Sequence, residues 1–271
     1  MTRLASKGFT LVELLLVVAV VVLLLAIILP ALSHAREAAR LTVCRSNHKQ
    51  IVTALTAYAM DNQDALPNMP WWMIPSITDD VYFFESCSFY SYIQADLSNG
   101  WVGFGLLFDS KIVNDPKLFY CPSQQIDLWT YPLGWEDAGK GWHECKDTRV
   151  VGYFDRVFGP AGEDPNLRLP TLPHPMALSA DILVSFRELW EVQGKPPLPH
   201  VNPYVINVSY SDGHVEGVYR GQTEYQRALT VCRLGVYEGA MTGQPDKFAK
   251  EAFRSLDDHD LRTLQTEFPL P

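Results

Sequence analysis

Sixteen consecutive apolar residues, Leu14–Leu29, limit what this chain can fold into more than any other feature of its sequence. Glu13 is the one ionisable side chain between Lys7 and His34. Because an α-helix rises 1.5 Å per residue, a helix over about residues 11–33 is long enough to cross a bilayer core of about 30 Å. The sequence therefore predicts a protein with one membrane-spanning helix.

Two common kinds of apolar N-terminal segment explain this stretch incompletely. A secretory signal peptide has a shorter apolar core, usually about 7–15 residues, which ends at small residues suited to cleavage. Here the core is longer and continues into residues 30–33, which offer no good cleavage site. A plain membrane anchor does not explain Glu13, because an isolated acid near the middle of a membrane costs roughly 2.5–3.5 kcal/mol. The carboxylate is therefore expected to have a partner.

The residues at the start of the apolar run form a motif, Lys7-Gly8-Phe9-Thr10-Leu11-Val12-Glu13. It resembles the type IV prepilin signature, in which a basic leader ends in glycine, phenylalanine follows, and glutamate is the fifth residue of the mature chain. The resemblance implies that prepilin peptidase removes residues 1–8, cutting between Gly8 and Phe9, and methylates the new amino group of Phe9. It also implies that Glu13 pairs with the N-terminal amine of a neighbouring subunit, and that Pro30 shapes the helix for packing.

Charge is unevenly distributed along the chain. Residues 1–60 hold six Lys and Arg and two Asp and Glu, a net of +4, whereas residues 61–271 hold 16 and 29, a net of −13, which together give −9. Basic residues ahead of an apolar span favour an N-terminus retained in the cytoplasm, so we expect residues 61–271 to form a domain outside the inner membrane, in the periplasm or beyond the cell. An acidic domain without clustered Lys and Arg argues against nucleic-acid binding.

The N-terminal helix is predicted to continue beyond the membrane and to cover residues 9–60. Residues 31–60 contain no Gly or Pro, and polar residues and Pro67 follow them. One face of this second half carries side chains at intervals of three and four, namely Leu41, Cys44, His48, Ile51, Leu55 and Tyr58. We expect this face to pack against the extracytoplasmic domain.

Residues 67–160 are rich in aromatic side chains and show little periodicity. Six of the seven tryptophans lie there: Trp71, Trp72, Trp101, Trp129, Trp135 and Trp142. They could form a surface on which sugars stack, or they could fill a core that has few regular elements, and the second interpretation is favoured. A short helix or turn is predicted at residues 105–108.

The chain has five cysteines, Cys44, Cys87, Cys121, Cys145 and Cys232, and no C-x-x-C pair. In an exported domain such cysteines can form disulfides, and Cys44 and Cys121 are a candidate pair. Buried thiols are the alternative, since cysteine is among the most buried residue types. The sequence leaves both alternatives open.

The C-terminal part predicts strands and then helices. Residues 176–181 are predicted to form a strand, and residues 205–210 and 214–219 a hairpin around Asp212-Gly213. A two-residue turn pairs Ser211 with His214, Tyr210 with Val215, Val208 with Gly217 and Ile206 with Tyr219, which places Ile206, Val208, Tyr210, Val215 and Tyr219 on one apolar face. Two helices are predicted at about residues 225–236 and 248–256.

Three further segments, within residues 44–67, 119–123 and 180–216, resemble one branch of pseudopilin-like proteins that carry a C-terminal H-x9-DG region. The chain departs from that pattern because eleven residues separate His200 from Asp212.

The same region holds the best candidate metal ligands, Asp181, His200, Asp212, His214 and Glu216, whose carboxylates would suit calcium or another divalent ion. Turn formation by Asp212-Gly213 and a solvent-facing strand explain most of them more simply, and this alternative is favoured.

Together these features predict an α+β, pilin-like fold: a long N-terminal transmembrane helix packed on an antiparallel sheet in a large soluble domain. The resemblance implies a pseudopilin-like structural subunit that prepilin peptidase processes and that joins other pilins in a type II secretion pseudopilus or a type IV pilus-like filament. No enzyme motif is present, so neither a reaction nor a required cofactor is expected. The alternative is a periplasmic domain that binds carbohydrate or metal, or acts as an enzyme, and reuses a prepilin-type anchor.

Overall fold

The computed structural model describes residues 9–67, 92–94, 101, 103–136, 149–155, 167–172, 175–181, 199–200 and 204–218. The chain divides into two compact units, Met1–Ala39 and Arg40–Pro271. Several predictions lie outside the described residues: the leader with Gly8, the two C-terminal helices, and Trp71, Trp72 and Trp142.

Helix α1 covers Leu11–Asp61, close to the predicted limits of residues 9 and 60. From Leu11 to Leu29 every side chain is exposed. Within the described residues, α1 is the one helix that is long and apolar enough to cross a membrane. So large an apolar surface needs lipid or other apolar helices to cover it, because water does not solvate it favourably.

The second half of α1 buries one face, as predicted. Its buried residues are Cys44, His48, Ile51, Val52, Ala54, Leu55 and Ala59. The helix ends because the backbone N–H groups of Asn62 and Asp64 both donate to the carbonyl of Ala59, and Gln63 and Asp64 adopt left-handed φ angles of 56° and 65°.

The main sheet has four antiparallel strands in the order β3-β4-β5-β6. These are β3 (Tyr153–Asp155), β4 (Ala177–Asp181), β5 (Ile206–Tyr210) and β6 (Val215–Val218). A separate two-stranded sheet pairs β1 (Tyr92–Gln94) with β2 (Arg149–Val150). The strand predicted at residues 176–181 is confirmed, and it lies in the interior of the sheet, where all five residues of β4 are buried.

The hairpin of β5 and β6 forms where predicted, but its register differs by one residue. The observed pairs are Ile206 with Val218, Asn207 with Gly217, Val208 with Glu216 and Ser209 with Val215. The predicted pairing of Tyr210 with Val215 was therefore wrong, as was the single apolar face derived from it. A shift of one residue moves the side chains of one strand to the opposite face, so Val215 shares a face with Ser209.

The turn explains this difference in register. The loop contains three residues, 211–213, because Tyr210 N–H donates to His214 O (3.0 Å) and Gly213 N–H donates to Tyr210 O (2.8 Å). Gly213 adopts a left-handed φ of 86°. Such a turn with a glycine bulge uses an Asp-Gly pair as readily as the two-residue turn does, so the dipeptide alone did not distinguish the two registers.

Short helices and aromatic side chains fill the space beside α1. The short helices are α2 (Gly105–Asp109), which confirms the element predicted at residues 105–108, α3 (Leu133–Glu136), and three 3₁₀ turns at Pro116–Phe119, Asp127–Trp129 and Leu169–Thr171. Trp129 is buried, and Trp101, Phe108 and Trp135 pack on one another and on the core. The described tryptophans thus agree with the core-filling interpretation.

The predicted fold class is confirmed. A long apolar N-terminal helix and a small antiparallel sheet give an α+β, pilin-like architecture. Within the second unit, the buried face of α1 and strands β3 to β5 meet through polar as well as apolar side chains, and these contacts position the residues described next.

Candidate functional site

The start of α1 is closed by hydrogen bonds between Thr10 and Glu13. The Glu13 carboxylate oxygen Oε2 accepts bonds from the backbone N–H and the hydroxyl of Thr10 (2.9 and 2.7 Å), and Glu13 N–H donates to Thr10 Oγ1 (3.3 Å). This is a capping box, in which two side chains satisfy N–H groups at a helix start. Within this chain the partner of Glu13 is Thr10, and the pairing with a neighbouring subunit that the resemblance implies stays a prediction.

The other predicted assembly and processing residues lie along the same segment. Phe9 is 70% exposed just before the helix. Pro30 lies inside α1, which continues through it, and Ser33 Oγ donates to the Pro30 carbonyl (2.7 Å). From Phe9 to Arg36 every residue is exposed.

Four buried side chains from distant parts of the sequence meet in the second unit: Cys44, Cys121, Asp181 and His200. We call them the buried cluster. Cys44 Sγ is 3.0 Å from Asp181 Oδ1, Cys121 Sγ is 3.3 Å from His200 Nε2, and His200 Nε2 is 3.9 Å from Asp181 Oδ2. All four ligand atoms lie within 4.8 Å of one another.

Different elements hold these side chains. Cys44 lies on the buried face of α1, and Asp181 ends β4. Cys121 opens the turn that follows the 3₁₀ helix Pro116–Phe119, where Gln124 N–H donates to the Cys121 carbonyl (3.1 Å). His200 precedes β5 and is completely buried. The cluster thus joins the helix, the sheet and two connecting segments.

A layer of buried polar side chains surrounds Asp181. Asn207 donates to Asp181 Oδ2 through its backbone N–H (2.7 Å) and its side-chain amide (2.8 Å). The ring of His48 contacts Asp181 Oδ1 through Nε2 (3.3 Å) and Ser179 Oγ through Nδ1 (2.7 Å). The carboxylate is therefore held by helix and sheet together, and the sheet face toward α1 is polar.

Burial and close contacts shift the pKa values of these groups. Burial raises the pKa of the Cys44 thiol well above its usual range. Burial also acts to raise the pKa of Asp181, but the hydrogen bond with His48, the nearby imidazoles and the Asn207 N–H outweigh it and lower that pKa. For His48, burial acts to lower the pKa, and the contacts with Asp181 and Cys44 outweigh it and raise it. Both shifts favour an ion pair between His48 and Asp181.

The structure separates the predicted metal ligands into two places. Asp181 and His200 belong to the buried cluster, whereas Asp212 and His214 lie at the tip of the hairpin, where their side chains are about half exposed (45% and 40%). Asp212 Oδ1 accepts from His214 N–H (3.0 Å) and contacts its ring, and Glu216 lies farther along β6. The five residues therefore do not form one site, and the turn interpretation of Asp212 agrees with these bonds.

The candidate disulfide between Cys44 and Cys121 is not formed in this structure. Both side chains are buried, and their sulfur atoms face Asp181 and His200. Of the two alternatives left open by the sequence, buried thiols describe both residues here.

Sequence reasoning missed His48, Ser179 and Asn207 as parts of a polar site. The spacing predicts that His48 lies on the buried stripe of α1 but indicates no role for it, and Ser179 is one residue of a predicted strand. The sequence does indicate the capping bond between Thr10 and Glu13, because these residues have the Thr-x-x-Glu spacing of a capping box. No comparable local pattern links His48 to Asp181, which is 133 residues away.

Comparison with known proteins identifies one part of the chain. Residues 3–29 match the model of the prokaryotic N-terminal methylation motif. No curated protein and no solved structure matched the chain. The motif supports a type IV pilin-like or pseudopilin substrate of prepilin peptidase, and together with the exposed apolar part of α1 it fits a membrane-anchored protein.

Proposed function

We propose that this chain is a pseudopilin-like structural subunit that assembles through α1 into a type II secretion pseudopilus or a type IV pilus-like filament. The observation that carries the proposal is the coincidence of the methylation motif at residues 3–29 with the exposed apolar part of α1. A helix that is apolar on all sides is covered by lipid before assembly and by other helices of the same kind afterwards.

The position of Glu13 supports assembly through this helix. Both bonds from Thr10 end on Oε2, and a carboxylate has further acceptor capacity on its second oxygen. The same side chain can therefore cap its own helix and accept the methylated amine of Phe9 from a neighbouring subunit. In a membrane, such a charge pair offsets the cost of the buried acid.

The proposal includes a topology and a mode of action. The basic residues before the span remain in the cytoplasm, and the acidic domain lies on the outer side of the inner membrane, in the periplasm or beyond the cell. The domain acts by interaction with other pilins and partners rather than by catalysis, and no cofactor is needed for assembly.

The first experiment measures processing on protein recovered from native membranes. We expect a chain that begins at Phe9 and is one methyl group heavier than its sequence. Gly8→Val should leave the full-length chain, whereas Ser6→Ala, two residues earlier, should be processed normally. A wild-type chain that retains its leader in cells with an active prepilin peptidase would overturn the proposal.

A second experiment separates assembly from processing. Chemical cross-linking in intact membranes, followed by mass spectrometry, should join the processed chain to other pilin-like subunits or to a second tagged copy of itself. A processed chain that is recovered only as a monomer, without pilin-like partners, would overturn assembly. That result would favour the alternative of a membrane-anchored binding or enzyme domain.

A further inference from the structure

The buried cluster brings four donor atoms to separations near those of ligands around a tetrahedral metal ion. Metal–ligand bonds of about 2.0–2.3 Å place tetrahedral ligands about 3.3–3.8 Å apart. The observed separations are 3.0 Å between Cys44 Sγ and Asp181 Oδ1, 3.3 Å between Cys121 Sγ and His200 Nε2, and 3.9 Å between His200 Nε2 and Asp181 Oδ2. The two distances to Asp181 are to different carboxylate oxygens, and all the ligand atoms lie within 4.8 Å of one another. Shifts of up to about 1 Å would bring the four donors to the edges of one tetrahedron.

The donor set selects among metals. Two sulfur atoms, one imidazole and one carboxylate suit zinc, which binds Cys, His and Asp in four-coordinate sites. Calcium and magnesium require oxygen ligands and take six or more of them, so a set in which three of the four donors are sulfur or nitrogen excludes both ions. Among the described residues, this is the one group of three or more such side chains close enough to share an ion.

Neighbouring polar groups support this arrangement. Metal-binding side chains are commonly held by hydrogen bonds from residues behind them. Asn207 holds one oxygen of Asp181 through two bonds, and His48 contacts the other oxygen. Ser123 N–H donates to Cys121 Sγ (3.4 Å), a bond that suits a thiolate. These contacts fix the Asp181 carboxylate and the Cys121 sulfur in place, as residues behind metal ligands do.

We propose that the buried cluster binds one zinc ion. The four ligands are Cys44 Sγ, Cys121 Sγ, a carboxylate oxygen of Asp181 and His200 Nε2. All four come from the protein and all are buried, so the ion has no open position for substrate and its role is structural. It joins α1 to the end of β4, to the turn at Cys121 before the sheet, and to the segment at His200 between β4 and β5. This inference is independent of the proposed function, because it concerns the domain and not the N-terminal motif.

The experiment uses the full chain recovered from native membranes through a tag without histidines, and measures its metal content by mass spectrometry. We expect about one zinc per chain. Cys121→Ala and His200→Gln should each lower the zinc content, or the affinity for added zinc, by at least about tenfold. Asp212→Asn at the hairpin tip and Cys232→Ala, which alters a cysteine that is not a proposed ligand, should retain zinc as the wild type does.

A second measurement needs no variant, because the ligand variants could fail to fold. Wild-type protein stripped by a chelator is titrated with Co²⁺ and, separately, with Zn²⁺. We expect a thiolate-to-cobalt charge-transfer band, strong visible absorption typical of tetrahedral Co²⁺, and a higher unfolding temperature with Zn²⁺ than with the chelator. Zn²⁺ should displace the cobalt and abolish the bands.

Three results would overturn the proposal. The first is a disulfide between Cys44 and Cys121, found after alkylation and digestion of the protein as isolated. The second is native protein that contains no zinc and shows no thiolate–cobalt band on titration. The third is zinc that is retained in full by folded Cys121→Ala and His200→Gln but lost in Asp212→Asn, which would place the metal at the hairpin tip instead.

Discussion

Two glycines illustrate different requirements at the scale of single residues. A Cβ at Gly152 would lie 2.8 Å from the Trp129 carbonyl oxygen and 3.2 Å from Tyr120 Cα, both backbone atoms. At Gly213 the nearest atom to such a Cβ is 3.5 Å away, but φ is +86°, which L-residues rarely adopt. Gly152 is therefore required because no side chain fits there, and Gly213 is required because its backbone conformation disfavours other residues.

These two requirements predict that replacing alanine by asparagine raises the loss of stability at position 152 and lowers it at position 213. Gly152→Ala should lower the free energy of unfolding by about 1–3 kcal/mol, and Gly152→Asn by more, because backbone cannot move aside. Gly213→Ala should cost about 1–2 kcal/mol, and Gly213→Asn less, because asparagine tolerates left-handed angles. Chemical denaturation in detergent, followed by tryptophan fluorescence, measures all four. Equal costs for the two asparagine variants would contradict this assignment.

The Asp212 carboxylate should make a small pH-dependent contribution to stability. Burial acts to raise its pKa, but the hydrogen bonds from His214 N–H and ring, and the charge of that ring, outweigh it and lower the pKa. A lowered pKa in the folded state stabilises the fold above the unfolded value of about 3.9, and this stabilisation is lost as the pH falls through the folded pKa.

We therefore expect Asp212→Asn to be less stable than the wild type at pH 6 by less than about 1 kcal/mol, since the side chain is half exposed. The difference should shrink as the pH falls below about 4. His214→Gln keeps the backbone donor and should lose only part of this effect. A difference that stays constant from pH 6 to pH 3 would argue against the assignment.

At the scale of elements, α1 contacts the sheet through buried polar side chains that lie among apolar ones. His48 lies on the buried stripe with Ile51 and Leu55, and its ring contacts that of Tyr153 at a centroid distance of 4.4 Å, with the two planes tilted by 51°. Its two nitrogens reach Ser179 and Asp181 on β4. We expect the apolar neighbours to supply most of the burial energy and the polar pair to specify which turn of the helix meets which strand.

Removing one partner of this pair should be costly. His48→Leu leaves the buried Asp181 without its ring partner, and a loss of about 3–5 kcal/mol of unfolding free energy is expected. His48→Gln can still donate a hydrogen bond and should lose less. The control is Lys49→Leu at the next, exposed position, where less than about 1 kcal/mol is expected. Equal stability of His48→Leu and Lys49→Leu would show that the polar pair does not contribute.

At the scale of the whole molecule, Glu13 connects the folding of one chain with the proposed assembly of many. In one chain it caps α1 through Thr10. In the proposed filament it also pairs with the amine of a neighbouring Phe9. The first role requires an acceptor oxygen and the second a negative charge, so the two roles are separable by substitution.

Glu13→Gln keeps an acceptor and removes the charge, whereas Thr10→Ala removes the capping partner and keeps the charge. We expect Glu13→Gln to be processed normally but to lose cross-linking to other subunits, and Thr10→Ala to retain cross-linking. Loss of a cap costs about 0.5–2 kcal/mol, which a long membrane helix tolerates. The reverse result, assembly by Glu13→Gln but not by Thr10→Ala, would mean that Glu13 acts through the cap alone.

Local patterns in the sequence were sufficient to predict several elements of this protein, although not β1 to β3 or α3. The apolar run predicted α1, and side chains spaced three and four residues apart predicted its buried face at Cys44 and Ile51. The mostly apolar residues before Asp181 predicted β4. These features depend on residues within a few positions of one another, so periodicity and propensity reveal them without knowledge of the fold.

Features that depend on how distant segments meet required the folded chain. Asp-Gly is compatible with both a two-residue and a three-residue turn, and only the packing of β5 between β4 and β6 selects the observed register. Cys44 and Asp181 are 137 residues apart, and no local pattern relates them. The four residues of the buried cluster lie on the helix, the sheet and two connecting segments, and they meet only when these parts of the chain pack together. Their proximity therefore depends on tertiary contacts and not on any single stretch of sequence.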